Sequence, residues 1–469
     1  MTFSSDYLKN KTDLKMALRI EKSFDLICKD TLIGGKNACF FFVDGLTKDE
    51  VMQKLLSGFY TIKAPDMPDN ASDFSTQQLP YIEVDIVKNA EQTITSILSG
   101  MTALLIDGYD AAICMDVRTY PARSVDQPEK EKVLRGSKDG FVETVVFNTA
   151  LIRRRIRDPH LTMEMLSVGS ISHTDVVLCY MENKVDKQLL NSVRDKLKNI
   201  KGKALSMNQT SLAECLYERK WYNPFPKYKY TERPDTSAAS ILEGSLVILV
   251  DNSPSAIILP TSLFGIMEEA DDYYLPPITG TYLRLTRFII GTVTFFITPT
   301  ILLLTMYPEW IPEWLSFIKL QEYTNIPLLF QFLILEIAVD GLKLAAVNTP
   351  GMLSTPLSII AGLALGEYAV SSGWFNAEAM LYMAFVALSN YTQPSYELGY
   401  ALKFFRIITL IITGLFGLWG LIAGTVSLMV SLLLNCTLDG RRRYLYPLIP
   451  FDWKVLKRQL FRLRRDENS

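Results

Sequence analysis

Residues 288–306 read FIIGTVTFFITPTILLLTM, nineteen positions without a single charge. At about 1.5 Å per residue a helix of that length spans roughly 28 Å, close to the hydrocarbon core of a bilayer. Pro299 lies inside the run and predicts a kink there. Four further apolar runs follow. Ile326–Val347 carries Glu336, Asp340 and Lys343, and Pro356–Val370 is short and holds Gly362, Gly366 and Glu367. Ala377–Ala387 is also short, while Ile407–Leu434 is too long for one span and contains Gly414, Gly417, Gly420 and Gly424. Upstream of about residue 285 the chain is an ordinary charged sequence. Over 469 residues it averages 49% hydrophobic and 21% charged, with a mean hydropathy of +0.15. Such asymmetry calls for two solvents, water for one part and lipid for the other.

In the first 284 residues, strand and helix signals alternate. Ala38–Val43 (ACFFFV) is an apolar run, and a helical pattern follows from Thr47 to Gly58 with Asp49 and Glu50 in its first turn. Asp66–Gln78 reads as a turn-rich linker. Asn89–Leu98 has helical spacing and ends before Gly100. Asp107-Gly108 between two apolar runs predicts a hairpin, and Asp251–Pro254 predicts another. Phe141–Arg157, Lys184–Ile200 and Asn208–Arg219 read as helices, and Asp175–Met181 reads as a strand. No internal repeat stands out. The fold class expected is therefore α+β followed by α: a soluble mixed α/β region of two subdomains (1–160 and 161–284), then a polytopic helical membrane domain (285–436) and a basic tail (437–469).

Charges within apolar runs are the candidate functional residues. Glu336, Asp340, Lys343 and Glu367 form a candidate ion pathway, because a charge at membrane depth is costly unless it meets water or a partner. Asp340 and Lys343 are three apart and share a helix face, so mutual neutralisation is expected. The alternative is an interfacial hairpin whose charges reach the headgroups. Arg284 and Arg287 precede the first run and Glu309, Glu313 and Glu322 follow it, which places the N-terminal half in the cytoplasm. The start of the chain has no apolar segment of signal-peptide type, in keeping with that side. The tail, with Arg441, Arg442 and Arg443, should lie on the same side and against anionic lipid. Both ends inside require an even number of crossings, four to six. Either the longest run is broken around Gly414–Gly420 or a shorter one is re-entrant.

Other chemistry is sparse. Arg153, Arg154 and Arg155 are either an interaction surface or a solvated helix end. Six cysteines form no CxxC pair and read as small buried hydrophobes, and with only His160 and His173 no zinc site is expected. Arg135-Gly136 with Asp139-Gly140 lacks the spacing of a phosphate loop. No nucleophile, acid pair or metal motif indicates an enzyme or a cofactor. A net charge of −2 offers no field for nucleic acid.

Several ordered motifs carry a resemblance. They are Asp107–Asp110 (DGYD), Arg123–Val125 (RSV), Pro128-Glu129, Arg135–Glu143 (RGSKDGFVE), Asn148 and Leu151–Ile156 (LIRRRI), then Glu232–Asp235 (ERPD), Leu242–Gly244 (LEG), Leu249–Pro254 (LVDNSP) and Asp271–Tyr274 (DDYY). Together they resemble the A-type subunits of the GerA family of spore germination proteins over nearly the whole chain. Glu336–Leu344 (EIAVDGLKL), Thr349–Pro356 (TPGMLSTP), Gly366–Val370 (GEYAV), Pro394–Leu398 (PSYEL) and Tyr446–Phe451 (YPLIPF) are more similar to the branch made in stage V of sporulation than to the nutrient-receptor branch. The resemblance implies residence in the spore inner membrane and assembly of copies, five by analogy, into a channel that releases monovalent cations. It also implies a small membrane partner and other germination proteins as associates. Two alternatives stay open: the A subunit of a nutrient germinant receptor, and a membrane scaffold that recruits germination partners.

Overall fold

The computed structural model describes residues 2–119, 131, 133, 135–200, 208–217, 222–320, 324–348, 362, 366, 368–438 and 443–461. The chain divides into two units, one of residues 1–218 and 228–260 and one of 219–227 and 261–469.

The first unit contains two five-stranded sheets, both antiparallel throughout. The strands of the first are β1 (Leu26–Ile33), β2 (Lys36–Val43), β3 (Val84–Val87), β4 (Thr102–Ile106) and β5 (Ala112–Met115), in the order β1-β2-β4-β5-β3. Helix α1 (Tyr7–Leu18) precedes them, α2 (Asp49–Phe59) and α3 (Ala71–Gln77) follow β2, and α4 (Ala90–Leu98) precedes β4. Alternation along β2 decides the layers. Ala38 and Phe40 pack with Phe59, Phe74 and Ile113 beneath α2 and α3, while Cys39, Phe41 and Val43 pack with Leu14, Ile97 and Leu98 beneath α1 and α4.

The second sheet repeats this plan. Its strands β6 (Leu161–Val168), β7 (Thr174–Met181), β8 (Lys229–Thr231), β9 (Leu246–Val250) and β10 (Ala256–Leu259) run in the order β6-β7-β9-β10-β8. Helix α5 (Val145–Arg155) precedes them, α6 (Lys187–Lys198) and α7 (Asn208–Leu216) follow β7, and α8 (Pro234–Leu242) precedes β9. The element order α-β-β-α-α-β-α-β-β therefore occurs twice. Equivalent turns agree in detail: Gly100 after α4 and Gly244 after α8 both have φ of +99°, the left-handed conformation that glycine adopts without a Cβ penalty. The sequence showed no repeat, because what recurs is the placement of apolar positions and turns and not residue identity.

Both hairpins expected at Asp107-Gly108 and Asp251–Pro254 are present, joining β4 to β5 and β9 to β10. The expected linker at Asp66–Gln78 is instead largely helical. Asn70 caps α3 by accepting from the Asp73 N–H at 2.9 Å, and Phe74 is buried against Phe59 and Tyr109. Two turns with one aromatic anchor are too short to register as a periodicity. Helix α5 packs on the second sheet, through Val145, Leu151 and Ile152, although it precedes residue 160.

The second unit is helical. After the short helices α9 (Leu263–Ile266) and α10 (Asp271–Tyr274) come α11 (Pro277–Met306), α12 (Leu328–Asn348), α13 (Ala377–Tyr391), α14 (Tyr396–Phe416), α15 (Leu418–Leu433) and α16 (Trp453–Leu460). By length and composition α11 and α14 can each cross a bilayer. α11 continues through Pro299. The run Pro356–Val370 lies mostly outside the described residues. The over-long run Ile407–Leu434 is broken at Gly417, whose φ of +58° turns α14 back on α15. The two helices then meet at their backbones. A Cβ on Gly420 would sit 2.7 Å from Thr413 Cα, and one on Gly424 would strike the Thr409 side chain. Small residues one helical turn apart permit this approach.

Substituting Gly420 by valine should cost about 1–3 kcal/mol through overpacking against backbone. It should lower the melting temperature of the detergent-solubilised protein, whereas Gly341→Ala, which meets nothing within 4 Å, should not.

Candidate functional site

α12 supplies the acids of the candidate site, and α14 supplies their partners. Glu336 is buried with 4% of its side chain exposed. It accepts from Arg406 Nε at 2.9 Å and Nη2 at 2.6 Å, and its other oxygen lies 3.1 Å from Lys403 Nζ. Lys403 also donates to the Glu336 carbonyl at 3.1 Å and pairs with Asp340 at 2.6 Å. Arg406 is fully buried and reaches the Thr294 carbonyl of α11 at 3.4 Å. Two carboxylates and two cations thus close a neutral cluster that ties three helices together. Each ion alone would cost several kcal/mol in this surrounding, and the cluster persists because every charge faces an opposite one.

Asp340 and Lys343 share a face; Asp340 forms its ion pair with Lys403, and the Lys343 ammonium lies over the rings of Tyr391 (4.9 Å) and Tyr400 (5.8 Å). Glu336 is enclosed by Lys403 and Arg406. Glu367 lies outside the described residues. The decisive partners, Lys403 and Arg406, sit just ahead of the uncharged stretch at Ile407, outside the apolar runs read from the sequence. The signal was present in their spacing, since three residues apart on a helix puts both on one face.

The cluster belongs to a ladder of polar contacts. Nearer the start of α12, Gln331 donates to Asn376 at 2.6 Å and to Thr324 at 2.7 Å, and accepts from the Asn376 N–H at 2.9 Å. At the foot of α11, Asp272 is buried between Arg287, with which it forms a two-pronged ion pair, and Arg284 at 3.3 Å. Arg284 donates onward to the Gln459 carbonyl at 2.7 Å, at the C-terminal end of α16. The acidic motif Asp271–Tyr274 therefore anchors the two arginines that precede the apolar run.

The basic residues at the end of α5 divide. Arg153 is fully buried and pairs with Asp25 at 2.7 Å, while also donating to Ser23 and to the carbonyls of Asp158 and Leu161. It joins the second sheet's helix to the segment before β1 and offers nothing to a surface. Arg155 pairs with Asp139 at 2.5 Å, and Arg154 is exposed. In the tail Arg443 is exposed, and Arg441 and Arg442 lie outside the described residues.

Replacing Glu336 by alanine leaves Lys403 and Arg406 buried beside a single partly exposed acid. The expected loss is about 3–5 kcal/mol, read as a fall in thermal stability in detergent. Exchanging Glu336, Lys403 and Arg406 together for leucine and methionine should recover most of it.

The family model for the Bacillus/Clostridium GerA spore germination protein matches residues 14–468. Stage V sporulation protein AF of Bacillus subtilis (strain 168) is 36% identical over 455 residues, covering 97% of this chain and 92% of that one. Spore germination protein A1 of the same organism is 31% identical over 349 residues, covering 74% and 72%. Among solved structures, the N-terminal domain of the A subunit of the Bacillus megaterium spore germinant receptor GerK3 aligns with a TM-score of 0.41 at 25% identity, covering 55% of this chain and 96% of that domain.

Proposed function

Because this chain belongs to the GerA family of spore germination proteins, we propose that it is a multi-pass protein of the spore inner membrane that promotes germination as a subunit of an oligomeric channel for monovalent cations. The observation that carries this reading is the set of polar side chains that α12 places among other segments. A helix that served only as an anchor would have no use for Gln331, Glu336 and Asp340 within one apolar helix, Gln331 held by Asn376 at the start of α13 and the two acids by α14. Exposed apolar residues of α12 support assembly: Ile337 and Leu344 are 74% and 65% exposed and call for lipid or a second copy. The break at Gly417 turns five apolar runs into six, in keeping with both ends on the cytoplasmic side. The ion pairs then act as a scaffold that keeps helices in register, and the conducting surface lies on another face of the bundle.

Identity with spore germination protein A1 favours a second reading, the A subunit of a nutrient receptor. The two separate in the cell. Expressed in vegetative cells, a channel subunit should collapse the membrane potential and release potassium, alone or with a small membrane partner. A variant that stays folded but disrupts the ladder, Asp340→Asn, should change that leak by several-fold. Absence of any leak from protein present in the membrane at normal amount would overturn the channel reading. Dependence of the response on an added nutrient would favour the receptor.

A further inference from the structure

The β1–β2 hairpin brings together three residues that the sequence keeps apart. Antiparallel register sets Asp30 opposite Cys39, and Cys28 lies two residues before Asp30 on the same face of β1. The sulfurs of Cys28 and Cys39 and a carboxylate oxygen of Asp30 all fall within 4.8 Å of one another. We propose that Cys28, Asp30 and Cys39 bind a single divalent d10 ion of the zinc class.

Distances, surroundings and charge agree with such an ion. On tetrahedral zinc, with bonds of about 2.3 Å to sulfur and about 2.0–2.2 Å to oxygen, neighbouring ligand atoms stand roughly 3.5–3.8 Å apart. Rotation of the half-exposed Cys28 and Asp30 side chains closes the difference. Cys39 is fully buried, in the same cluster of buried side chains as Tyr7 of α1. Asp30 already faces a cation, Lys11 Nζ at 2.5 Å, and its second oxygen leaves a lone pair for the ion. Binding joins M2+ to two thiols and a carboxylate and releases two protons. The product carries a local charge of −1, offset by Lys11. The fourth position opens toward the solvent side of Asp30 and takes water. Chemically the site is a clasp: it would fasten β1 to β2 within the edge hairpin of the first sheet, beside Lys11 of α1.

The test uses the full chain in detergent, fully reduced, with metal removed and zinc or cobalt(II) returned. The expected result is about one equivalent of zinc by elemental analysis, release of two protons per ion, and a thiolate-to-cobalt charge-transfer band. Cys28→Ser should abolish the band, and Asp30→Asn should weaken binding at least about tenfold. Both positions are at least partly exposed, so these variants should fold even if Cys39→Ser does not. Cys215→Ser, an exposed cysteine elsewhere, should change nothing. Absence of stoichiometric metal or unchanged binding in Cys28→Ser would each overturn the proposal.

Discussion

The helical unit depends on the burial of one carboxylate between two cations. Glu336 on α12 holds Lys403 and Arg406 on α14, and Arg406 carries the connection to the backbone of α11. In an apolar bundle, side-chain packing alone tolerates small rotations and slips of one helix along another, because one leucine face resembles the next. An ion pair does not. A slip of one turn would move the carboxylate about 5 Å and take it out of reach of Arg406. The cluster therefore fixes register, and the close backbone contacts at Gly420 and Gly424 fix the spacing of the neighbouring hairpin.

The other unit also buries an ion pair, Arg153 with Asp25. Its two sheets repeat a common plan, and Arg153 links them by reaching from α5 to Asp25, with Ser23 and two carbonyls completing its donors. Backbone contacts flank this pair: the Phe24 N–H donates to the Met163 carbonyl, and the Met163 N–H donates to Ser23. A fully buried arginine with its donors satisfied is a joint between the repeats, and this accounts for one residue of the basic run without any ligand.

Paired charges limit what the ladder can do. A neutral cluster with short internal contacts presents no net field to a moving cation, so its value to the proposed channel is geometric. Beyond the cluster, Lys343 is set over Tyr391 and Tyr400 beside the small space lined by Asn390, Tyr396 and Lys403. That end of α12 is where a counter-charge from lipid, water or another copy would act.

Length and apolarity made the division into a charged part and an apolar helical part legible in the sequence, and apolar alternation with Asp-Gly and Asp-Asn turns marked both hairpins. Those signals are local, and local backbone preferences and burial set them. The acids in the apolar runs were equally visible. Their partners were not, since pairing between α12 and α14 spans about seventy residues and no spacing rule reaches so far. For the same reason the buried role of Arg153, the repeat of the two sheets and the meeting of Cys28 with Cys39 emerged only from the folded chain. Sequence determined where charge and apolar surface lie along the polymer. Tertiary structure decided which charges meet, because strand register and helix packing bring together residues that the covalent chain leaves apart.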